Sequence, residues 1–264
     1  MQFLSGSHGS LTTNLAFGNF ASNAILVEQS NAKINDNEFG RTPHNKQANN
    51  EIGITMRDTD GSEAVLNYFH IQNQTGILVT GLTDNASIIG NSMMTLADAV
   101  RVSGKYTNIM GNNFSMINWF PGSPLLPGTG DAIKIDSAAQ DTVIQNNVII
   151  GSSAAFVAQG IGVNNSGQST VMIENKVGSF LTGAVTNQTG GSFSAIFNNC
   201  FDIPYGAYTA ATPPAIENFT STNLDATYNW WGSSGATTDP TVTNHVTGNV
   251  TTNPEVVTKP AHCN

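Results

Sequence analysis

Apolar residues along this chain come in short bursts. They follow neither the three-and-four spacing of an amphipathic helix nor the long alternation of an extended strand. One pattern recurs: an apolar-x-apolar triplet, a short polar turn, a second apolar pair, then Asn and another apolar residue. It reads Ile25-Leu26-Val27 leading to Ile34 through Phe39 with Asn37, and Ile77-Leu78-Val79 leading to Ile88-Ile89-Gly90-Asn91. It returns as Val100-Arg101-Val102 before Asn112-Asn113-Phe114, as Ile133-Lys134-Ile135 before Val143-Ile144-Gln145-Asn146, and as Ile161-Gly162-Val163 before Met172-Ile173-Glu174-Asn175. The last clear copies carry Asn199 and Asn229. Asn91 and Asn112 lie 21 residues apart and Asn175 and Asn199 lie 24 apart, a period typical of solenoid repeats.

Strands of three to five residues bury only a narrow face, and one coil alone cannot cover it. The pattern therefore predicts an all-β solenoid in which each strand pairs in parallel with its copies above and below. Roughly eight coils at about 4.8 Å would give a rod near 40 Å long. Asn at the corner suits a residue that tolerates left-handed backbone angles and whose amide reaches the equivalent Asn one coil away, so the repeated asparagines are expected to be structural. Repeats are predicted over about 15–233 and a closing segment over 234–264, within a single domain spanning 1–264. Prolines and glycines in Trp119-Phe120-Pro121-Gly122-Ser123-Pro124 mark a loop inserted between coils.

Composition narrows the function. Asn, Ser, Thr and Gly are abundant, charged residues make up 10%, and no apolar run is long enough to span a membrane. Nine Lys and Arg against eighteen Asp and Glu leave a formal net charge of -9, which argues against nucleic acid as a partner. A polyanionic sugar would need a local basic patch. The five histidines share no spacing that puts two on one strand face, so neither a metal site nor a cofactor is expected. Cys200 and Cys263 allow one disulfide or two free thiols. Met1 through Gly6 contain no basic-then-apolar signal peptide, while the Asn/Thr-rich, Lys-poor composition suits an extracellular or surface location. Seven Asn-x-Ser/Thr sequons, Asn73, Asn113 and Asn218 among them, are about as many as this composition gives by chance.

The repeats, with Tyr228-Asn229-Trp230-Trp231-Gly232-Ser233 and the later Gly248-Asn249-Val250 and Pro254, resemble the right-handed parallel β-helix repeat family. That group includes the pectate-lyase-like and NosD-like proteins of carbohydrate-binding and sugar-hydrolase type. The resemblance covers about residues 15–257 and implies a single-stranded right-handed parallel β-helix. It says little about activity, because lyases, hydrolases, epimerases, adhesins and phage spikes share this architecture.

Aligning the triplets stacks outward residues into columns. One reads Leu26, Thr55, Leu78, Arg101, Lys134, Gly162; the next reads Glu28, Arg57, Thr80, Ser103, Asp136, Asn164; a third holds Asp98 and Asp131. Charge gathers here in a chain that otherwise has little. For a polysaccharide lyase, Arg101 or Lys134 would act as base or hold a uronate carboxylate. For a hydrolase, Asp131 with Asp136 or Asp98 would supply the carboxylate pair, about 5 to 9.5 Å apart. The plainer expectation is that Asp98 and Asp131 accept backbone N–H groups at strand entry while Arg101 and Lys134 pair with them across coils. Candidate sugar-contacting residues are Trp119, Phe120, Arg57, Tyr205 and Tyr208. Trp230 and Trp231 suit a plug at the open end of the core.

Three functions follow. The first is an extracellular or surface structural or adhesive solenoid that binds a polysaccharide or cell-surface glycan, or forms a homo-oligomer by end-to-end or side-by-side contact, since a repeat starting near Leu15 has little cap. The second is a lyase or glycoside hydrolase working on the charged face, and the third is a phage spike or fibre module.

Overall fold

The computed structural model describes residues 1–12, 16–17, 23–40, 52–72, 75–95, 97–115, 117–118, 126–127, 130–153, 156–157, 160–178, 180, 183–202, 215–231, 246–256 and 258–263. Each coil visits three sheets in turn, as in Thr75–Thr80, Ser87–Ile89 and Ser92–Thr95, and then returns to the first at Val100–Val102. Among the described residues the first sheet has ten strands and the second and third have eight each, with each strand lying beside its copies in neighbouring coils. All the pairings in these three sheets are parallel, as between Ile77 and Val100, Ile88 and Ile109, and Met93 and Phe114. Parallel crossovers of this kind are right-handed for L-amino acids, and the molecule is a right-handed parallel β-helix. Paired strands also lie outside 15–233: Gln2–Phe3 pairs with Leu26 and Val27, and Val246–Gly248 pairs with Ile216–Asn218.

The core is built from rows. Ile25, Ile54, Ile77, Val100, Ile133, Val163, Val185 and Ile216 point inward from the first sheet, and Ile34, Ala64, Ile88, Ile109, Ile144, Met172 and Ile196 from the second. The third sheet supplies Phe39, Phe69, Met93, Phe114, Ile149, Val177 and Phe201, and the Phe39 and Phe69 rings stack at 4.7 Å. Where the chain turns from this bulky row into the first sheet, a second row stays small: Ala24, Gly53, Gly76, Ala99, Ala132, Gly162, Ala184 and Ala215. A Cβ on Gly53 would lie 2.7 Å from both Phe69 and the Gly76 carbonyl, so the row cannot widen. Gly162 belongs to this inward row and not to the outward column where alignment of the triplets put it. The residue paired with Lys134 is Asn164.

The repeated asparagines form a continuous internal ladder, Asn37, Asn67, Asn91, Asn112, Asn147, Asn175, Asn199 and Asn229. Each donates its backbone N–H and its Nδ2 to the Oδ1 of the next, as in Asn91 to Asn112 at 2.8 and 3.0 Å. Nδ2 also bonds a carbonyl in the preceding coil, as from Asn112 to Ile88 at 2.9 Å. Left-handed geometry and amide stacking fall on separate residues. The positive φ sits one position earlier, at Asp36, Leu66, Gly90, Gly111, Asn146, Glu174, Asn198 and Tyr228. Asn146, read as the repeat asparagine of its coil, is thus the turn residue, and Asn147 enters the ladder.

A second internal ladder occupies the C-terminal coils. The second inward position of the first sheet is Val27, Met56, Val79, Val102 and Ile135, and then becomes Asn165, Asn187 and Asn218. Asn165 donates to Asn187 at 3.1 Å and Asn187 to Asn218 at 3.0 Å. At the closing end Trp231 stacks on Phe201 at 4.9 Å, Trp230 packs on Cys200 and Cys263, and these cysteines form a disulfide with Cα atoms 5.7 Å apart. Both tryptophans are buried, as expected of a plug.

Candidate functional site

The outward face of the first sheet gathers the charged residues singled out from the sequence. Its central column runs Leu26, Thr55, Leu78, Arg101, Lys134, Asn164, Thr186 and Glu217. Arg101 and Lys134 are directly paired neighbours, and Asp98 lies one coil from Asp131.

The carboxylates are heavily engaged. Asp98 Oδ1 accepts the Asp131 backbone N–H at 2.9 Å, and Asp131 Oδ1 accepts the Ile161 N–H at 2.9 Å. Asp131 Oδ2 accepts from Asn164 Nδ2 at 2.8 Å, and Asn164 Oδ1 accepts from Gln188 Nε2 at 2.9 Å. One polar network therefore runs along the rod from Asp98 to Gln188. Beside it, Asp136 Oδ2 accepts from Arg101 Nε and from Ser103 Oγ, each at 2.8 Å. The expectation that Arg101 pairs with Asp98 or Asp131 is thereby corrected. Arg101 Nε lies level with Asp136 at the end of the strand, and strand-entry backbone amides take up Asp98 and Asp131.

Lys134 is half-buried and makes no ion pair among the described residues. Its charge, with the Asp131 N–H, pulls the Asp98 carboxyl down, but burial is the larger effect and leaves Asp98 above its ordinary value. Glu217, further along the column, is also raised by burial, partly offset by Thr186. Arg57 bridges Glu28 at 3.0 Å, away from the charged centre. Trp119, Phe120, Tyr205 and Tyr208 lie outside the described residues.

Gln188 and Glu217 were not among the residues picked from the sequence, and Asn164, read into the column of Asp136, stands instead beside Lys134. The triplet Ile161-Gly162-Val163 looks like its predecessors, and only Val163-Asn164-Asn165 gives the true register. A polar Asn165 facing inward disguises it.

No protein-family model and no curated protein sequence matches the chain. Three solved structures resemble it. DFA-IIIase from Arthrobacter chlorophenolicus A6, crystallised without its lid, has a TM-score of 0.51 at 14% identity over 89% of this chain and 65% of its own. The A-module of the Azotobacter vinelandii mannuronan C-5 epimerase AlgE6 gives 0.44 at 11% identity over 88% of this chain and 65% of its own. Tailspike protein 3 of bacteriophage CBA120 gives 0.20 at 8% identity over 95% and 51%. What is shared with DFA-IIIase is the fold. The chain spans just under two thirds of the first two proteins.

Chemically, the face offers a cation in Lys134 and two fixed amides in Asn164 and Gln188, with carboxylates each held by at least one hydrogen bond. No helix among the described residues is long and apolar enough to cross a membrane.

Proposed function

We propose that this protein is an extracellular or surface solenoid that binds a polysaccharide along the outward face of its first sheet and holds it without turning it over. The observation that carries this reading is the state of the charged groups. Asp131 has both oxygens engaged by its own fold and Asp136 is held by Arg101 and Ser103, while Lys134 has no ion pair among the described residues. A nucleophile or general base needs a carboxylate free to turn toward substrate, and here the fold holds both oxygens of Asp131 and the Oδ2 of Asp136 in place. Lys134, Asn164 and Gln188 present donors on a rigid frame, which suits hydroxyl and carboxylate recognition. The disulfide supports an oxidising location.

Association with a second copy is part of the same proposal. Val65, Ile89 and Met110 lie half-exposed in one outward row of the second sheet, which Gln145 interrupts before Ile173 and the exposed Phe197, and the apolar stretches of this row suit side-by-side contact. Sedimentation of a dimer or trimer is the expected result, and a monomer at high concentration would remove this part of the proposal.

A glycan array with wild type, Lys134→Ala and Asp131→Ala tests the binding surface. Binding that Lys134→Ala weakens is expected; no binding to any glycan, or none lost in Lys134→Ala, refutes the site.

The enzyme reading keeps one observation in its favour. A carboxyl raised by burial beside a lysine is a suitable general acid, and Asp98 is such a group. Turnover by wild type that disappears in Asp98→Asn would replace the binding proposal with a lyase or hydrolase.

A further inference from the structure

At the closing end of the rod, far along the chain from the charged face, the Cys200 and Cys263 sulfurs and a ring nitrogen of His262 all lie within 4.8 Å of one another. Both cysteines are fully buried, and His262 on the short 3-10 turn Ala261–Cys263 is half-buried at the solvent side. His262 Nε2 lies 2.9 Å from the Asn198 carbonyl oxygen. A carbonyl only accepts, so Nε2 carries the proton and donates it, and Nδ1 keeps its lone pair. Tying one ring nitrogen to a backbone carbonyl while the other keeps its lone pair is the usual arrangement around a metal-binding histidine. Trp230 and Val256 pack around the two cysteines and keep the pair sheltered.

We propose that reduction of the Cys200–Cys263 disulfide converts this corner into a binding site for one soft divalent cation of the zinc type, held by the two cysteine sulfurs and His262. Zn–S bonds of about 2.3 Å and a Zn–N bond of about 2.0 Å in tetrahedral geometry put ligand atoms roughly 3.5 to 3.8 Å apart. The three groups reach that spacing once the sulfurs separate. A dithiol reductant passes two electrons and two protons to the S–S bond, giving two thiols on the protein and a disulfide on the reductant. The cation then displaces both thiol protons to solvent and bonds two thiolates and the histidine lone pair, leaving the fourth position to water. In reverse, a disulfide oxidant takes two electrons from the thiolates and two protons from solvent, leaving as a dithiol while the Cys200–Cys263 bond re-forms and the ion is released, so the corner holds either a covalent bond or a metal.

The test uses the full chain, reduced with a phosphine under anaerobic conditions, freed of reductant and titrated with Co2+ and then Zn2+. One Co2+ per chain is expected, with thiolate-to-cobalt charge transfer in the near ultraviolet and tetrahedral bands in the visible that Zn2+ abolishes. The untreated disulfide form should bind none. His262→Ala, which leaves both cysteines and the solenoid in place, should weaken binding by at least about tenfold. Absence of the charge-transfer band in the reduced chain overturns the proposal, as does equal binding by His262→Ala or by the disulfide form.

Discussion

Two polar systems run along this rod, and they differ in what they leave over. Inside, the ladder from Asn37 to Asn229 repeats one residue in one geometry, and each amide bonds a neighbour and a carbonyl of the preceding coil. Outside, the network from Asp98 to Gln188 joins unlike groups across a half-exposed face and leaves Lys134 without an ion pair among the described residues. Past its first rung, where Asn37 Oδ1 has no hydrogen-bond partner among the described residues, the uniform buried ladder takes up its own amides. A mixed surface network does not take up all of its groups, and those it leaves are where binding is to be sought.

If that contrast is right, substitutions in the two systems should differ by size and by sign. The largest effect is expected inside. Asn112→Ala leaves the Asn91 backbone N–H without its acceptor and the Ile88 carbonyl without its side-chain donor, while Asn147 Oδ1 keeps the backbone N–H of residue 112, so a loss of about 2–4 kcal/mol is expected from the denaturation midpoint. A loss below about 1 kcal/mol would mean that water or a neighbour replaces the ladder.

The shorter inner ladder should be more tolerant. Asn187→Val removes the partner of Asn165 and of Asn218, but Asn165 Nδ2 also reaches the Ser192 carbonyl and Asn218 Oδ1 also accepts from Thr220. Chemical denaturation should show about 1–2 kcal/mol. Replacing Asn165, Asn187 and Asn218 together by Val should cost more than the single change, since it also orphans the Gly167 N–H and Thr170 hydroxyl held by Asn165 and the Thr220 N–H held by Asn218.

On the outer face, Arg101→Ala leaves Asp136 partly exposed and still bonded to Ser103, so a loss of no more than about 1 kcal/mol, shrinking as salt is added, is expected in melting experiments. Asp98→Asn should act in the opposite direction. Burial raises the Asp98 carboxyl, so its contribution to stability is fully present in acid and is lost as pH rises through its folded-state value. The substitution keeps the acceptor for the Asp131 N–H and removes the buried charge. Melting temperature should therefore be higher than wild type at neutral pH and indistinguishable in acid, and the reverse order would show that Lys134 stabilises the charged form more than burial opposes it.

Much of the architecture was legible in the sequence because its signal is local. Apolar-x-apolar triplets at a regular period report inward rows directly, and the pairing of Val100 with Ile133 follows from them. Two things were hidden. Asn146 and Asn147 are identical letters with different tasks, and only the backbone angle at Asn146 assigns turn and ladder. Asn165 breaks the rule that inward means apolar, because its amide finds partners in Asn187 and Gly167, and this shifted the apparent register by two residues. The site was half legible. Asp98, Arg101, Asp131 and Lys134 do share a face, but partners set by strand-end geometry, such as Asp136 for Arg101, are not visible in the spacing of the triplets.

The measurement that bears most directly on the central claim is product analysis of the polysaccharide this protein binds, after prolonged incubation with wild type at saturating concentration. The account predicts a glycan recovered with its length, saturation and stereochemistry unchanged. Shortened, unsaturated or epimerised chains would contradict it and return the carboxylates of the first sheet to a catalytic role.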